Sequence, residues 1–371
     1  MQLIDLQAQQ ARLQPHINQR IASVLAKGNF IMGEEVQQLE AQLAQYVGIE
    51  HCISCANGTD ALQVALMALD IGPGDIVFTT AFSFFATAEV ISLVGATPYF
   101  VDIDEHTFNL CPQSLSIAIA EAKNQSALSP KAVIAVDLFG LPANYLALQK
   151  MCSEHGLRLI EDAAQGFGGS MNKTRACRFG DIATTSFFPA KPLGCYGDGG
   201  AIFTKNDSLA ERCRSIRLHG KGKHKYQNVR VGLNSRLDTL QAAILLEKLS
   251  IFEDECNVRD DNACAYTRQL NHGFVTPKVA SGYTCSWAQY TLWHRTLSRE
   301  KLLASLHEAG IPSAIYYPTP LNQQPGMRNA LSLETPISNQ MSQKAFSIPV
   351  HPYLSPDDKQ LIIETLNACA D

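Results

Sequence analysis

The fold of this chain is decided by two segments, Arg158-Leu159-Ile160-Glu161-Asp162-Ala163-Ala164-Gln165 and Thr185-Ser186-Phe187-Phe188-Pro189-Ala190-Lys191-Pro192-Leu193-Gly194. In the first, Asp162 directly follows the apolar end of a predicted buried strand. In the second, Lys191 follows a predicted strand over residues 183–188 and lies among prolines and a glycine, which exclude a helix. Ligands of α/β proteins bind at the sheet edge where strands end. The two segments therefore predict an α/β fold with Asp162 and Lys191 beside a ligand.

The chemistry of this pair favours one cofactor. A lysine in an apolar setting loses some preference for its charged form, and a neutral amine can form a Schiff base. Pyridoxal phosphate needs such a lysine for its aldehyde and an acid for its ring nitrogen. Alone, Asp162 is better explained as a helix cap and Lys191 as a solvated loop lysine. Together with Gln165, Ser186 and the glycines that follow Lys191, they predict pyridoxal 5'-phosphate bound to Lys191 as an aldimine.

A second glycine turn predicts a phosphate site. Residues 51–55 have the pattern of a strand, Asn57-Gly58-Thr59 turns the chain, and residues 61–69 have the pattern of a helix. A helix that begins after a glycine turn presents free amides and a positive dipole end to an anion. A simple capped helix is the more common explanation of such a turn on its own. With Lys191 downstream, the pattern favours a phosphate held at Gly58 and Thr59.

Seven motifs in order resemble the fold-type-I, pyridoxal-phosphate-dependent sugar-nucleotide aminotransferases of the DegT group. They are Gly33–Val36, Asn57–Leu62, Gly72–Asp75, Glu161–Gln165, Ser186–Lys191, Gly197–Gly200 and Asn234–Ala243. The resemblance implies a large cofactor-binding domain over residues 1–250, with a mixed, mostly parallel seven-stranded sheet covered by helices. It also implies a small C-terminal α+β domain over residues 251–371.

The resemblance also implies roles for individual residues at the cofactor. Lys191 is the catalytic residue that moves a proton, and Asp162 keeps the ring nitrogen protonated. Phe84 stands where the family stacks an aromatic side chain on the ring, and Gln165 is placed to hydrogen-bond the phenolic oxygen. Ser186, Gly58, Thr59 and Asn234 hold the phosphate. Asn234 reaches it from the neighbouring subunit, which implies a homodimer with a shared active site.

A basic segment inside an acidic protein predicts part of the substrate site. Residues 218–236 contain His219, Lys221, Tyr226 and Arg236, whereas 30 basic and 35 acidic residues give the whole chain a net charge of −5. Such a run is usually a solvated loop, but lysine and arginine also suit a diphosphate. Arg236 could hold a substrate carboxylate in a two-pronged pair or form a structural ion pair with Asp238; the sequence leaves both open.

The C-terminal third is predicted to contain a long helix after Leu237, strands at 286–296 and 312–317, and helices at 299–309 and 357–369. Tyr316 and Tyr317 belong to a stretch that resembles the family's histidine-tyrosine-proline sequence. Tyr316 stands where histidine is usual, so any role of that histidine in substrate binding transfers only if a phenol can replace it.

Composition excludes other classes of function. The acidic balance argues against a nucleic-acid binder, and no membrane-spanning run or signal peptide is evident. Eleven cysteines are therefore expected to be free thiols of a cytoplasmic protein, with Cys52 and Cys55 in the core and no metal site. No GxGxxG fingerprint follows the first strand, which weakens a nicotinamide enzyme as the alternative.

Within the DegT group, the sequence is most similar to enzymes that aminate UDP-2-acetamido-2-deoxy-3-oxo-glucuronate for bacterial surface polysaccharide such as O-antigen. The resemblance implies L-glutamate as amino donor and 2-oxoglutarate as its product. A dTDP-linked 3-keto-6-deoxyhexose is the alternative substrate. The sugar dehydratases of the group replace the lysine with histidine, so Lys191 argues against them. A non-enzymatic regulator with the same fold is the remaining alternative.

Overall fold

The structure is a computed structural model that describes residues 1–123, 127–224 and 226–370. Its strands β1 to β7 are His51–Cys55, Asp75–Thr80, Thr97–Val101, Ser129–Val136, Arg158–Asp162, Ser170–Met171 and Thr174–Arg175. Strands β8 to β14 are Ile182–Ser186, Gly200–Thr204, Phe274–Val275, Tyr283–Thr284, Tyr290–His294, Leu331–Ser332 and Phe346–Ile348.

The helices α1 to α6 are Leu6–Lys27, Glu34–Val47, Gly58–Ala68, Ala86–Leu93, Pro112–Ala122 and Tyr145–His155. Helices α7 to α11 are Asp207–Ile216, Thr239–Gln269, Arg299–Glu308, Pro336–Lys344 and Pro356–Ala370. Helix α2 ends at Gly48, which adopts φ +76° and whose amide bonds to the Ala44 carbonyl. None of the described helices combines the length and apolarity that crossing a membrane requires.

The main sheet has the strand order β1-β9-β8-β5-β4-β2-β3-β13. β9 is antiparallel to both neighbours, whereas β8, β5, β4, β2 and β3 are mutually parallel. The predicted α/β class and the mostly parallel sheet are confirmed. The predicted number of seven strands is corrected to eight, because Leu331–Ser332 pairs with β3. A two-residue strand held by backbone pairing leaves no periodic pattern in a sequence.

Alternation along each strand sends neighbouring side chains to opposite faces of this sheet. In β5, Ile160 packs in a core with α3, α4 and α7, while Leu159 packs on the other face with α5 and α6. Helices α2 and α8 cover the remaining part of that second face. Because the strands are buried on both faces, they read as continuous apolar runs in the sequence.

The C-terminal region forms its own three-stranded sheet, β10-β12-β14, around a separate apolar cluster with α9 and α11. The strand predicted over residues 312–317 is wrong, since only Ala314 pairs, through an isolated bridge to Ser347. Pro312 has no backbone N–H to donate to a ladder. The predicted domain boundary after residue 250 falls inside α8 and stays a prediction.

The cysteines behave as the sequence suggests. All eleven are free, and Cys52 and Cys55 are buried on opposite faces of β1. Burial raises the pKa of both thiols. The Cys-x-x-Cys pair is therefore part of the core.

Candidate active site

The candidate site lies where parallel strands end. Asp162 is the last residue of β5, Ser186 is the last residue of the adjacent strand β8, and Lys191 follows in the connection to β9. The helix α3 begins beside them at Gly58. The sheet order thus brings together residues that the sequence separates by more than a hundred positions.

Asp162 is a buried carboxylate, 3% exposed, with defined partners. Its Oδ2 accepts a hydrogen bond from the hydroxyl of Thr87 at 2.9 Å, and its Oδ1 accepts one from the Ala164 amide at 3.2 Å. Burial raises its pKa, and the two hydrogen bonds and the charge of Lys191 oppose that rise. A buried carboxylate with lone pairs to spare is suited to bind a protonated ring nitrogen.

Lys191 is held in a turn in which its amide bonds to the Phe188 carbonyl at 2.8 Å. Desolvation by the surrounding protein lowers the pKa of its ammonium group, and the negative charge of Asp162 partly restores it. Desolvation therefore increases the fraction of neutral amine, the form that attacks an aldehyde.

Gln165 is fixed at both ends of its side-chain amide. Its Oε1 accepts from the Phe139 amide at 2.6 Å, and its Nε2 donates to the hydroxyl of Tyr317 at 3.0 Å. Burial raises the pKa of Tyr317, so its phenol stays protonated. One amide hydrogen of Gln165 remains for a ligand.

The start of α3 is arranged to receive an anion. Asn57 caps the helix by accepting from the Asp60 amide at 2.8 Å, while the amides of Gly58 and Thr59 bond to no acceptor among the described residues. A Cβ atom on Gly58 would lie 2.7 Å from the Cβ of Ser186, so the helix start and the end of β8 touch. Two free amides, the dipole end and the Ser186 hydroxyl therefore converge.

The three phenylalanines of segment 81–87 differ in exposure. Phe82 is completely buried, and Phe85 packs beside Gly326. Phe84 is 57% exposed, and its ring centroid lies 6.5 Å from that of Tyr317. The exposed Phe84 ring lies beside Tyr317, which binds Gln165, so its surface is accessible to a flat cofactor ring. The stacking role of Phe84 stays a prediction.

The predicted substrate residues His219, Lys221 and Tyr226 and the predicted phosphate residue Asn234 belong to the basic segment 218–236. Bridges between Leu218 and Asn234 and between Lys221 and Asn228 fold the basic segment on itself, and His219, Lys221 and Asn234 are exposed. Tyr226 is also exposed to solvent. Among the described residues, no hydrogen bond or ion pair joins His219, Lys221 or Asn234 to Asp162 or Lys191. Their roles stay predictions, and so does the contribution of Asn234 to the active site of a neighbouring subunit.

Arg236 and Tyr316 are both partly buried, and each is adjacent in sequence to a residue that contacts the candidate site. Among the residues that the structure describes, no ion pair joins Arg236 to Asp238, so the structural alternative for Arg236 finds no support. The adjacent Ser235 accepts from the Ala56 amide at 3.2 Å, which places Arg236 near the start of α3. Tyr316 is half-buried, and its ring centroid lies 5.7 Å from that of Tyr317.

Two residues of the site were missed in the sequence. Thr87 binds Asp162 and Ser83 binds Thr87, and both are buried. The available signal was a pair of hydroxyl residues four positions apart on either side of Phe84. Nothing local in that pattern identifies Asp162 as their partner.

The chemical groups at this site match those that pyridoxal phosphate requires. A desolvated lysine with a lowered pKa lies within electrostatic range of a buried acid, and free helix amides adjoin Ser186. A cofactor with an aldehyde, a basic ring nitrogen and a phosphate meets each of these groups. Which residues contact it remains a prediction.

Comparisons with known proteins agree along the whole chain. The DegT/DnrJ/EryC1/StrS aminotransferase family profile matches residues 11–367. The UDP-2-acetamido-2-deoxy-3-oxo-D-glucuronate aminotransferase of Pseudomonas aeruginosa is 47% identical over 367 residues, covering 99% of each chain. A pleiotropic regulatory protein of Geobacillus stearothermophilus is 42% identical over 370 residues, covering 98% of this chain and 97% of the relative.

Solved structures give the same result. The crystal structure of a DegT DnrJ EryC1 StrS aminotransferase from Brucella abortus superposes with a TM-score of 0.97 at 47% identity, covering 99% of each chain. The structure of DesV from S. venezuelae in complex with a ketimine intermediate superposes with a TM-score of 0.93 at 32% identity, covering 100% of this chain and 98% of the other.

Proposed function

Because this chain belongs to the DegT/DnrJ/EryC1/StrS aminotransferase family, we propose that it is a pyridoxal-phosphate-dependent aminotransferase of a nucleotide sugar. Its substrate is UDP-2-acetamido-2-deoxy-3-oxo-glucuronate, its product is the 3-amino sugar, and L-glutamate is the amino donor. The end-to-end similarity to the Pseudomonas aeruginosa enzyme carries the choice of substrate. We place the product in bacterial surface polysaccharide such as O-antigen.

The chain's own residues divide the work of transamination. When bound, pyridoxal phosphate supplies an aldehyde for the amino group and a ring that withdraws electrons from the reacting carbon. Lys191 would hold the cofactor through its side-chain amine and would move a proton at the reacting carbon as base and acid. Its lowered pKa favours the neutral amine that this step requires. Asp162 keeps a proton on the ring nitrogen.

The remaining residues bind and orient. The amides of Gly58 and Thr59, with the Ser186 hydroxyl, hold the phosphate, and Gln165 donates its free amide hydrogen to the phenolic oxygen. Phe84 covers the ring. Asn234 of one protomer completes the phosphate site of its partner in a homodimer, which is consistent with its exposure within a single chain.

The substrate is bound by charge. Arg236 pairs with the uronate carboxylate, because it forms no ion pair with Asp238 and lies near the start of α3. His219, Lys221 and Tyr226 of the basic segment receive the diphosphate, and Tyr316 and Tyr317 face the sugar. A dTDP-linked 3-keto-6-deoxyhexose lacks a carboxylate and would leave Arg236 without this partner.

Single-turnover spectroscopy tests the proposal. The protein is loaded with pyridoxal phosphate, converted with L-glutamate to the amino form of the cofactor, and mixed with the UDP-linked 3-oxo-uronate made in situ by its dehydrogenase. We expect the visible band of the aldehyde form to return with this sugar and not with a dTDP-3-keto-6-deoxyhexose. Return with the deoxy sugar alone would refute the substrate.

The same experiment separates the enzyme from a regulator. A protein that binds the cofactor but is not converted by L-glutamate would contradict the donor, and a protein that binds no cofactor would favour the regulatory role that one relative's name describes. The matched control is Lys191→Ala, which removes the amine but leaves Asp162 and the helix start in place.

A further inference from the structure

A chain of two hydroxyl groups leads to the carboxylate of Asp162. Thr87 Oγ1 lies 2.9 Å from Asp162 Oδ2, and Ser83 Oγ lies 3.0 Å from Thr87 Oγ1. Thr87 is 1% exposed and Ser83 is 3% exposed. Because both residues are buried, water can replace either hydrogen bond only if the structure opens locally.

The direction of these hydrogen bonds follows from the acceptor. An ionised carboxylate can only accept, so the hydroxyl hydrogen of Thr87 points to Asp162. Thr87 then offers its lone pairs to Ser83, whose hydroxyl hydrogen points to Thr87. Each bond polarises the next, which strengthens the donor that Asp162 receives.

The same short segment carries the exposed aromatic ring. Phe84 lies between Ser83 and Thr87, and the Thr87 amide bonds to the Phe84 carbonyl at 3.2 Å at the start of α4. One turn therefore sets the position of the ring-covering side chain and of the hydroxyl that binds the acid. This coupling gives the spacing Ser-Phe-Phe-Ala-Thr a physical reason.

We propose that Thr87 and Ser83 are positioning residues for the transamination: their hydroxyl chain holds Asp162 ionised and oriented so that this carboxylate keeps the cofactor's ring nitrogen protonated. With Oδ2 bound by Thr87 and Oδ1 by the Ala164 amide, the carboxylate has one fixed orientation and unused lone pairs. Without the hydroxyl, the buried carboxylate becomes more basic and draws the proton from the ring. The inference rests on the proposed cofactor chemistry.

The test measures protonation directly. Holoenzyme is prepared with pyridoxal phosphate labelled with ¹⁵N in the ring, and the ¹⁵N chemical shift is recorded for wild type, Thr87→Val, Thr87→Ser and Ser83→Ala. We expect a protonated ring nitrogen in wild type and in Thr87→Ser. Thr87→Val, which keeps the shape but loses the hydroxyl, should shift toward the unprotonated value, and Ser83→Ala should shift less in the same direction.

The conversion of the holoenzyme by L-glutamate gives a second readout. A hydrogen bond to a charged group has an effect large enough that Thr87→Val should slow this half-reaction about tenfold to a hundredfold. Thr79→Val is the matched control, since the buried Thr79 hydroxyl bonds to the Ile134 carbonyl at 3.1 Å instead of to Asp162. It should change neither the ¹⁵N shift nor the rate.

The outcomes separate the two proposals. If wild type binds the cofactor and reacts with glutamate, but Thr87→Val and Ser83→Ala match it in ¹⁵N shift and rate, the hydroxyl chain has no such role and the proposed function stands. If wild type binds no pyridoxal phosphate, both proposals fall. If Thr87→Val does not fold, the shift and rate of Ser83→Ala decide the question.

Discussion

Gln165 and Tyr317 are joined by a hydrogen bond of 3.0 Å from Nε2 to the phenol oxygen, across 152 positions of the chain. Gln165 lies in the turn after β5 of the main sheet, and Tyr317 lies in the C-terminal region. The bond therefore connects the candidate cofactor site to the part of the chain that follows α8. It also orients the amide so that one hydrogen is left for a ligand.

Replacing Tyr317 by phenylalanine should loosen Gln165 without unfolding the protein. The loss of one hydrogen bond predicts a decrease of about two- to tenfold in affinity for pyridoxal phosphate. Equilibrium dialysis of the apo-protein with pyridoxal phosphate measures this affinity. Tyr316→Phe is the matched control, because the Tyr316 hydroxyl makes no described bond to Gln165. Equal affinities for wild type and Tyr317→Phe would remove Gln165 from the cofactor site.

Gly58→Ala should impair cofactor binding more strongly. The new Cβ would lie 2.7 Å from the Cβ of Ser186, so the start of α3 and the end of β8 must separate. We expect affinity for pyridoxal phosphate to fall at least about tenfold, because the proposed phosphate site is formed by both elements. Gly72→Ala is the control, since its nearest neighbour to a Cβ is a carbonyl oxygen at 3.6 Å. A wild-type affinity in Gly58→Ala would contradict the phosphate site.

The rate of cofactor binding should depend on pH through Lys191. The neutral amine attacks the aldehyde, so the rate rises as pH passes upward through the pKa of Lys191, which desolvation lowers below its ordinary value. The charge of Asp162 raises that pKa, so Asp162→Asn should move the midpoint of the rate profile to lower pH. Stopped-flow absorbance measures both profiles. A midpoint that stays fixed would mean that the two groups do not interact, and a midpoint that moves upward would contradict the stabilising effect of the Asp162 charge on the ammonium group.

Arg236→Gln should raise the KM for the UDP-linked 3-oxo-uronate by about tenfold or more, because a two-pronged pair with a carboxylate is lost. Cofactor affinity and conversion by L-glutamate should be unchanged, since the proposed role of Arg236 is to bind the sugar only. Steady-state kinetics with the uronate measure the effect, and the exposed Arg328 provides a control as Arg328→Gln. An unchanged KM would assign Arg236 a structural role.

The buried ion pair between Arg217 and Glu40 should contribute strongly to stability. The Arg217 Nη1 lies 2.5 Å from Glu40 Oε1 and 2.6 Å from the Ser54 carbonyl, and Arg217 is 4% exposed. Glu40→Gln leaves the guanidinium without its counter-charge, which should lower the free energy of unfolding by about 3 kcal/mol or more.

The exposed pair of Arg12 and Asp254 provides the comparison, with side chains 40% and 60% exposed. Asp254→Asn should cost less than about 1 kcal/mol, because solvent screens this pair. In thermal unfolding, Glu40→Gln should therefore have a clearly lower midpoint temperature than Asp254→Asn. The reverse order would show that the side-chain amide introduced by Glu40→Gln retains the bond to Arg217.

The sequence by itself determined the local elements and the reactive pair. Local patterns predicted β1 at residues 51–55 and α9 at residues 299–309, and the apolar run before Asp162 placed that acid at the end of a strand. These features depend on neighbours within a few residues, so a pattern can show them. The motifs at Asp162 and Lys191 also carried enough chemistry to predict the cofactor and the family.

Only the tertiary structure decided which groups meet. The eighth strand exists because Leu331 pairs with Tyr99, and the expected strand at 312–317 is absent because Ala314 alone finds a partner there. Thr87 binds an acid 75 positions away, and Tyr317 binds Gln165 across 152 positions. Such contacts depend on strand order and on the packing of distant segments, and neither leaves a periodic signal in the residues that take part.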